Sequence, residues 1–164
     1  MFAPSEIPVP EGTLWGFVAL QYHTLILNRV YAVCVGAGSL VALVGRGAVI
    51  SPPVARENMS TPLWWLRREK MATYANLELN EEAVTKAAFA NLRIPIHAIE
   101  SITFTTDAKW GMGNVPYSGR IIVVAAGRRR EFILLGKENG AAVCERLQQW
   151  AALGNKAPER AREK

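Results

Sequence analysis

The stretch VYAVCVGAGSLVALV, residues 30–44, decides the fold class. Two valine-rich apolar runs, residues 30–35 and 40–44, flank the short segment GAGS at residues 36–39. Valine favours extended backbone, and glycine supplies the freedom that a tight turn needs. The pattern therefore predicts a β-hairpin.

Strand signals return in the second half of the chain. Residues 93–96 and 99–105 are rich in isoleucine and threonine, and residues 120–126 and 131–135 flank the turn segment 127–130. These runs predict further strands and a second hairpin. Upstream, residues 14–27 are also apolar, but their periodicity does not decide between strand and helix. Their aromatic and β-branched residues favour a strand.

Two helices are predicted between the hairpins. Thr61 followed by Pro62 is typical of a helix start, and residues 63–71 can continue as a short helix. Asn80 is a second candidate cap, for a helix over residues 81–90 with two acidic residues in its first turn.

The clearest helix closes the chain, from Asn139 to Leu153. Its apolar side chains recur at helical spacing and form one stripe that would dock on a sheet. The stripe consists of Val143, Cys144, Leu147, Trp150 and Ala151. Gly154 is expected to end this helix.

Length and composition favour one mainly β (α+β) domain. The chain has 164 residues, of which 50% are hydrophobic and 20% charged, so whole-chain disorder is excluded. We expect an extended arm at residues 1–12, a domain at 13–154 with a helical insertion at about 61–91, and a charged tail at 155–164. The first residues lack the features of a secretory signal, and the uncharged runs 12–28 and 30–45 are shorter than the roughly 20 residues of a spanning helix.

Motifs for enzyme chemistry are missing from the sequence. Cys34 and Cys144 are far apart in apolar surroundings, which is typical of buried thiols. The two histidines, His23 and His97, cannot form a histidine-only metal site. The segment GMGNVP at residues 111–116 has proline where a dinucleotide-binding loop needs its third glycine. We therefore expect no cofactor, no metal and no catalytic residues.

A family resemblance accompanies these patterns. The run RIPIHAIESI, residues 93–102, resembles the I-P-x-x-x-I-x-x-V strand pair of bacterial pleckstrin-homology-like domains. The segments at 119–123 and 131–135 and the final helix follow in the family's order. The resemblance covers residues 92–153, extends more loosely to 14–46, and does not include the helical insertion.

The resemblance implies a partly open β-barrel of about seven strands with a C-terminal capping helix. It implies binding rather than catalysis, and self-association. Phosphoinositide-binding members carry a basic cluster at the first hairpin turn, which we assign here to residues 36–39. This segment has no basic residue, so phosphoinositide binding is not expected.

Three segments are candidate contact surfaces. Trp64, Trp65, Arg67 and Arg68 combine aromatic rings with cations, and could meet a membrane interface or an acidic partner, or pack their rings on the sheet. The loop at residues 109–119 is rich in glycine and could bind a partner, or fold its large side chains back over the domain. Those side chains are Trp110, Met112 and Tyr117. The run at residues 128–130 is interpreted as a solvated hairpin tip, so nucleic acid is not expected as a partner.

These features predict a cytoplasmic, non-enzymatic binding or scaffolding module that associates with itself or with another protein. Half of the residues are hydrophobic, and apolar surface that stays exposed usually marks an interface. Two alternatives stay open: a peripheral membrane protein that uses residues 64–70, and a small enzyme that uses His23 or His97 as a base beside a carboxylate such as Glu100.

Overall fold

Seven strands pair into one antiparallel sheet in the computed structural model, which describes residues 1–22, 28–47 and 57–156. The strands are β1 (Thr13–Gln21), β2 (Arg29–Gly36), β3 (Ser39–Arg46), β4 (Leu92–Pro95), β5 (Ile99–Thr105), β6 (Tyr117–Ala125) and β7 (Arg128–Leu135). Their order is β4-β3-β2-β1-β7-β6-β5, so the sheet is not closed and β4 and β5 form its edges. The prediction of a mainly β protein with a C-terminal helix is confirmed.

The hairpin predicted from residues 30–44 is formed by β2 and β3. It is the second hairpin along the chain, because β1 pairs with β2 over the whole length of both strands. The assignment of residues 36–39 to the first turn was therefore wrong. The connection between β1 and β2 includes residues 23–27, and these, together with the prediction for His23, lie outside the described residues.

The insertion contains less regular helix than the sequence predicts. Short 3₁₀ turns occupy Glu57–Ser60 and Pro62–Trp65, and α-helices α1 and α2 span Arg68–Ala72 and Glu81–Ala87. The predicted helix over residues 63–71 is broken by extended backbone at its middle, and the Thr61 side chain makes no capping bond. Asn80 does cap α2, since its Oδ1 accepts a hydrogen bond of 2.9 Å from the Ala83 backbone N–H.

Strands β1 to β3 are buried on both faces of the sheet. One face carries Phe17 and Val33 and packs against the C-terminal helix α3 (Gly140–Lys156). The other carries Val18 and Leu43 and packs against the insertion and the N-terminal segment. The second layer contributes Phe2, Ile7, Met59, Trp65, Met71, Tyr74 and Val84. Because both faces are covered, β1 is apolar at nearly every position, and for that reason residues 14–21 show no strand period.

Helix α3 docks on the sheet with the stripe that the sequence predicts. Leu147 is fully buried, the Trp150 indole N–H donates to the Gly36 carbonyl at 2.8 Å, and the Gln148 amide donates to the Ile102 carbonyl at 2.7 Å. The expectation that Gly154 ends the helix is wrong, because α3 continues to Lys156. Gly154 is instead a close-approach position, where a Cβ would overlap the side chain of Ile96.

The hairpin of β6 and β7 turns earlier than the sequence predicts. Strands β6 and β7 are joined by the two residues Ala126 and Gly127, which both have positive φ, 47° and 69°. The assignment of residues 128–130 to the hairpin tip was therefore wrong, since these three arginines belong to strand β7. The structural reason is the pairing of Ala125 with Arg128, which leaves only two residues for the turn.

Candidate binding sites

The predicted binding loop does not present its three large side chains together. Strand β6 begins at Tyr117, so the loop spans residues 106–116. Trp110 is 84% exposed, whereas Met112 is 3% exposed and packs into the core on the insertion side of the sheet. Tyr117 is half-buried. Trp110 alone of the three is available to a partner.

The loop is attached to the sheet immediately before Trp110. The Lys109 backbone N–H donates to the Tyr117 hydroxyl at 2.7 Å, and the Lys109 ammonium lies 2.6 Å from the Glu131 carboxylate. On the other side, Gly111 has φ of 88° and lies so close to the Tyr22 hydroxyl that a Cβ would be 2.6 Å from it. Trp110 therefore projects from a segment whose neighbours on both sides are positioned by packing.

Glu131 is the centre of an ion-pair cluster on the outer face of β7. Its carboxylate oxygens lie 2.6 Å from Lys109, 3.2 Å from Arg120 and 3.4 Å from Arg129. Burial by itself would raise the pKa of Glu131, but the hydrogen bonds and charges of Lys109 and Arg120 outweigh it, and the pKa is lowered. The cluster therefore connects the Trp110 loop to the β6–β7 hairpin with a carboxylate that stays ionised at neutral pH.

The segment from Trp64 to Lys70 is mostly packed. Trp65 is 2% exposed and its indole N–H donates to the Met59 carbonyl at 3.0 Å. Trp64 is half-buried, stands edge-on to Trp65 with ring centroids 5.2 Å apart, and is covered by the Arg46 guanidinium at 5.2 Å. Trp65 thus contributes no exposed contact surface.

Arg67 and Arg68, the cations of this segment, are exposed. The structure therefore separates the two halves of the predicted contact patch, with the rings packed inward and the charges in solvent. Trp65 therefore packs on the domain, as one of the alternatives predicts, whereas Trp64 keeps part of its ring exposed.

The described residues do not assemble the acid–base pair considered for an enzyme. His97 is exposed in a 3₁₀ turn at Ile96–Ala98. Glu100 is also exposed, but its Oε1 accepts a hydrogen bond of 2.7 Å from the Gly127 backbone N–H. Its carboxylate therefore supports the β6–β7 turn. Within residues 1–22, 28–47 and 57–156, no group of three histidine, cysteine or carboxylate side chains could hold a metal ion.

A groove beside strand β4 is the site that sequence reasoning missed. It has a volume of about 480 Å³ and lies between β4, helix α2 and the β6–β7 turn. Three arginines line it: Arg93, Arg128 and Arg130. The dipeptide Ala126-Gly127 is the sequence signal that could have located the turn and so have placed Arg128 and Arg130 in a strand.

Alternation along β7 separates its three arginines. Arg130 pairs with Val123, which belongs to the core beneath α3, whereas Arg129 pairs with Val124 and makes the ion pair with Glu131. Arg128 and Arg130 therefore share one face of the strand, and Arg129 lies on the other.

Comparisons with family models, with curated proteins and with solved structures found no match for this chain. None of the helices in the described part of the chain combines the length and the apolar character needed to cross a membrane.

Proposed function

We propose that this protein is a non-enzymatic, pleckstrin-homology-like binding module that associates with a second copy of itself through Trp110. The strand order, with β1 between β2 and β7, and the C-terminal helix packed on one face support a partly open barrel of this kind. The observation that carries the function is the exposure of Trp110 on an anchored loop.

An exposed tryptophan on a fixed loop is suited to binding. Tryptophan is among the residues that contribute most to protein interfaces, because it buries a large apolar area with little conformational entropy to lose. Lys109 and Gly111 already restrict the loop, so association orders little additional backbone. The rest of the loop contributes its apolar side chains, Met112 and Val115, to the core.

Membrane contact through residues 64–70 is the weaker hypothesis. Insertion into a bilayer interface needs exposed aromatic rings, and Trp65 is buried while Trp64 is covered by Arg46. Arg67, Arg68 and Lys70 would by themselves contribute about 1 kcal/mol each near an anionic surface. We therefore expect no co-sedimentation with anionic liposomes.

Light scattering on a size-exclusion column tests the proposal. We expect a dimer at about 50 µM and a shift towards monomer in Trp110→Ala, with a dissociation constant at least about tenfold larger. Phe89→Ala is the matched control, because Phe89 is 97% exposed elsewhere on the molecule. A monomeric wild type at that concentration, or a Trp110→Ala protein that dimerises as the wild type does, would refute the proposal.

A further inference from the structure

The groove beside β4 has the charge of an anion-binding site. Within residues 1–22, 28–47 and 57–156, neither Arg128 nor Arg130 forms an ion pair, and Glu81 is the acidic residue among those that line the groove. Arg93 is held in place, because its Nε donates to the Leu79 carbonyl at 2.8 Å. Three guanidinium groups facing one carboxylate make the groove complementary to a negatively charged partner.

Arg130 lies close enough to Tyr31, the third residue of β2, for its charge to act on the Tyr31 hydroxyl. Burial raises the pKa of Tyr31, and the nearby charges of Arg29 and Arg130 offset part of that effect. Tyr31 lies in the core beneath α3, and its hydroxyl donates to the Ala90 carbonyl at 3.1 Å, next to the start of β4. Arg130 therefore lies on the side of the groove that faces this core.

Among the described residues, strand β4 has no partner on the side that faces the same groove. Strand β4 pairs with β3 and stands at the edge of the sheet. The Ile96 backbone N–H bonds to the Gly38 carbonyl, on the side of β3. Because bonding direction alternates along a strand, the Arg93 N–H and C=O point the opposite way, towards the free edge. Pro95 points the same way but has no N–H, so this edge offers an additional strand the Arg93 N–H and the carbonyls of Arg93 and Pro95.

The two walls of the groove differ in charge. An added strand would direct alternate side chains to opposite sides. On one side they would meet Arg93 together with Glu81 of α2, where the charges balance. On the other they would meet Arg128 and Arg130, which are two residues apart on β7 and so have the side-chain spacing of an extended chain, about 7 Å.

We propose that this groove binds an extended acidic segment of a partner protein, which adds to the free edge of β4 and places two carboxylates, two residues apart, against Arg128 and Arg130. The groove also contains apolar side chains, among them Pro95, Ala98 and Ala125, which suit the neutral residues between the carboxylates. Trp110 does not line the groove, so this inference and the proposed self-association are independent of each other.

Fluorescence anisotropy with a labelled peptide of about eight residues, in which glutamate and valine alternate, tests this site. We expect saturable binding to the full chain, weakened at least about tenfold in the double variant Arg128→Ala, Arg130→Ala. Arg129→Ala is the matched control, because Arg129 lies on the opposite face of the same strand. Equal weakening by both changes would overturn the inference, because it would indicate general charge attraction.

Two further arms separate an added strand from a simple anion site. Two peptides are N-methylated at alternate amides, one in each of the two possible registers. Only one of them should bind more weakly than the unmethylated peptide, because only one set of amides can face β4. Inorganic phosphate should fail to displace the peptide at equal concentration. Displacement by phosphate, or binding that is indifferent to methylation in both registers, would overturn the inference and leave an anion site or a phosphate-bearing surface in its place.

Discussion

Strands β1 to β3 and strands β5 and β6 belong to one sheet, but they meet different surroundings. The first group lies between α3 and the insertion, and its residues are buried in succession. The second group is covered by α3 on one face, so buried Ile102, Ile121 and Val123 alternate with exposed or half-exposed residues such as Thr103 and Ile122. The same secondary structure thus carries two different hydrophobic patterns.

The difference shows that the insertion is part of the folding core. Without it, the outer face of β1 to β3 would expose apolar side chains, including Val18, Ala32 and Leu43. Exposed patches of that kind promote association in soluble proteins. The segment from Glu57 to Ala87 therefore has a structural role, as the cover of this face.

The largest effect is expected from a charge on the doubly covered strands. Ala32 on β2 is fully buried between Val18 and Leu43, so Ala32→Asp places a carboxylate without a partner in the core. We expect a loss of at least about 3 kcal/mol in the free energy of unfolding, measured with urea. Thr103→Asp on the open face of β5 should cost less than about 1 kcal/mol. Similar losses for both variants would show that the two groups of strands do not differ in burial as described.

Truncations can compare the two covering layers directly. Leu147 on α3 and Met71 on α1 are both fully buried, on opposite faces of the sheet. Leu147→Ala and Met71→Ala should each lower the unfolding free energy by about 2–5 kcal/mol. Leu153→Ala, at a position 71% exposed, is the control and should change little. A cost below about 1 kcal/mol for Met71→Ala would mean that the insertion does not contribute to the core.

The ion-pair cluster around Glu131 stabilises strand β7 through charge pairing. Its contribution to the free energy of unfolding therefore depends on pH. The folded-state pKa of Glu131 lies below the ordinary value of about 4.3, so its stabilisation is present above that pH and lost as pH falls through the folded pKa. Glu131→Gln should cost about 1–3 kcal/mol at pH 7, and the difference from wild type should shrink between about pH 5 and pH 3.

Urea unfolding across that range measures this dependence. Glu82→Gln is the control, because the Glu82–Lys86 pair is exposed on α2. A constant difference between Glu131→Gln and wild type down to about pH 3 would show that the carboxylate does not titrate as described.

The smallest effect concerns the turn that joins β6 and β7. Ala126 has φ of 47°, a conformation that costs an L-residue about 1 kcal/mol more than glycine. Ala126→Gly should therefore stabilise the protein by about 0.5–1 kcal/mol, whereas Ala125→Gly, in extended backbone, should destabilise it by a similar amount. Thermal unfolding of the two variants should shift in opposite directions, and a shared direction would exclude the two-residue turn.

Local patterns predicted the elements whose formation depends on nearby residues. The hairpin of residues 30–44, the Asn80 cap and the docking stripe of α3 follow from turn chemistry and side-chain period, and all three are present. Gly154 shows the limit of such reasoning. A glycine near a helix end usually serves as a stop, but here its small size is required by Ile96, a contact that depends on tertiary packing.

The candidate sites were less predictable because they depend on pairing and packing between distant segments. The sequence identified Trp110 as a candidate binding residue. Its exposure and the burial of Met112 and Trp65 were decided by the layers that pack around the sheet. The positions of Arg128 and Arg130 beside β4 depend on the register of β7 and on the open edge of the sheet.

By itself, the sequence determined a mainly β domain with a terminal helix, because strand and helix periods are local properties of the chain. The tertiary structure decided which strands became edges, which faces were covered and which charges formed ion pairs. These outcomes depend on contacts between residues far apart in the chain, such as Gly36 with Trp150 and Glu131 with Lys109. These contacts stabilise the protein only after the whole sheet has assembled.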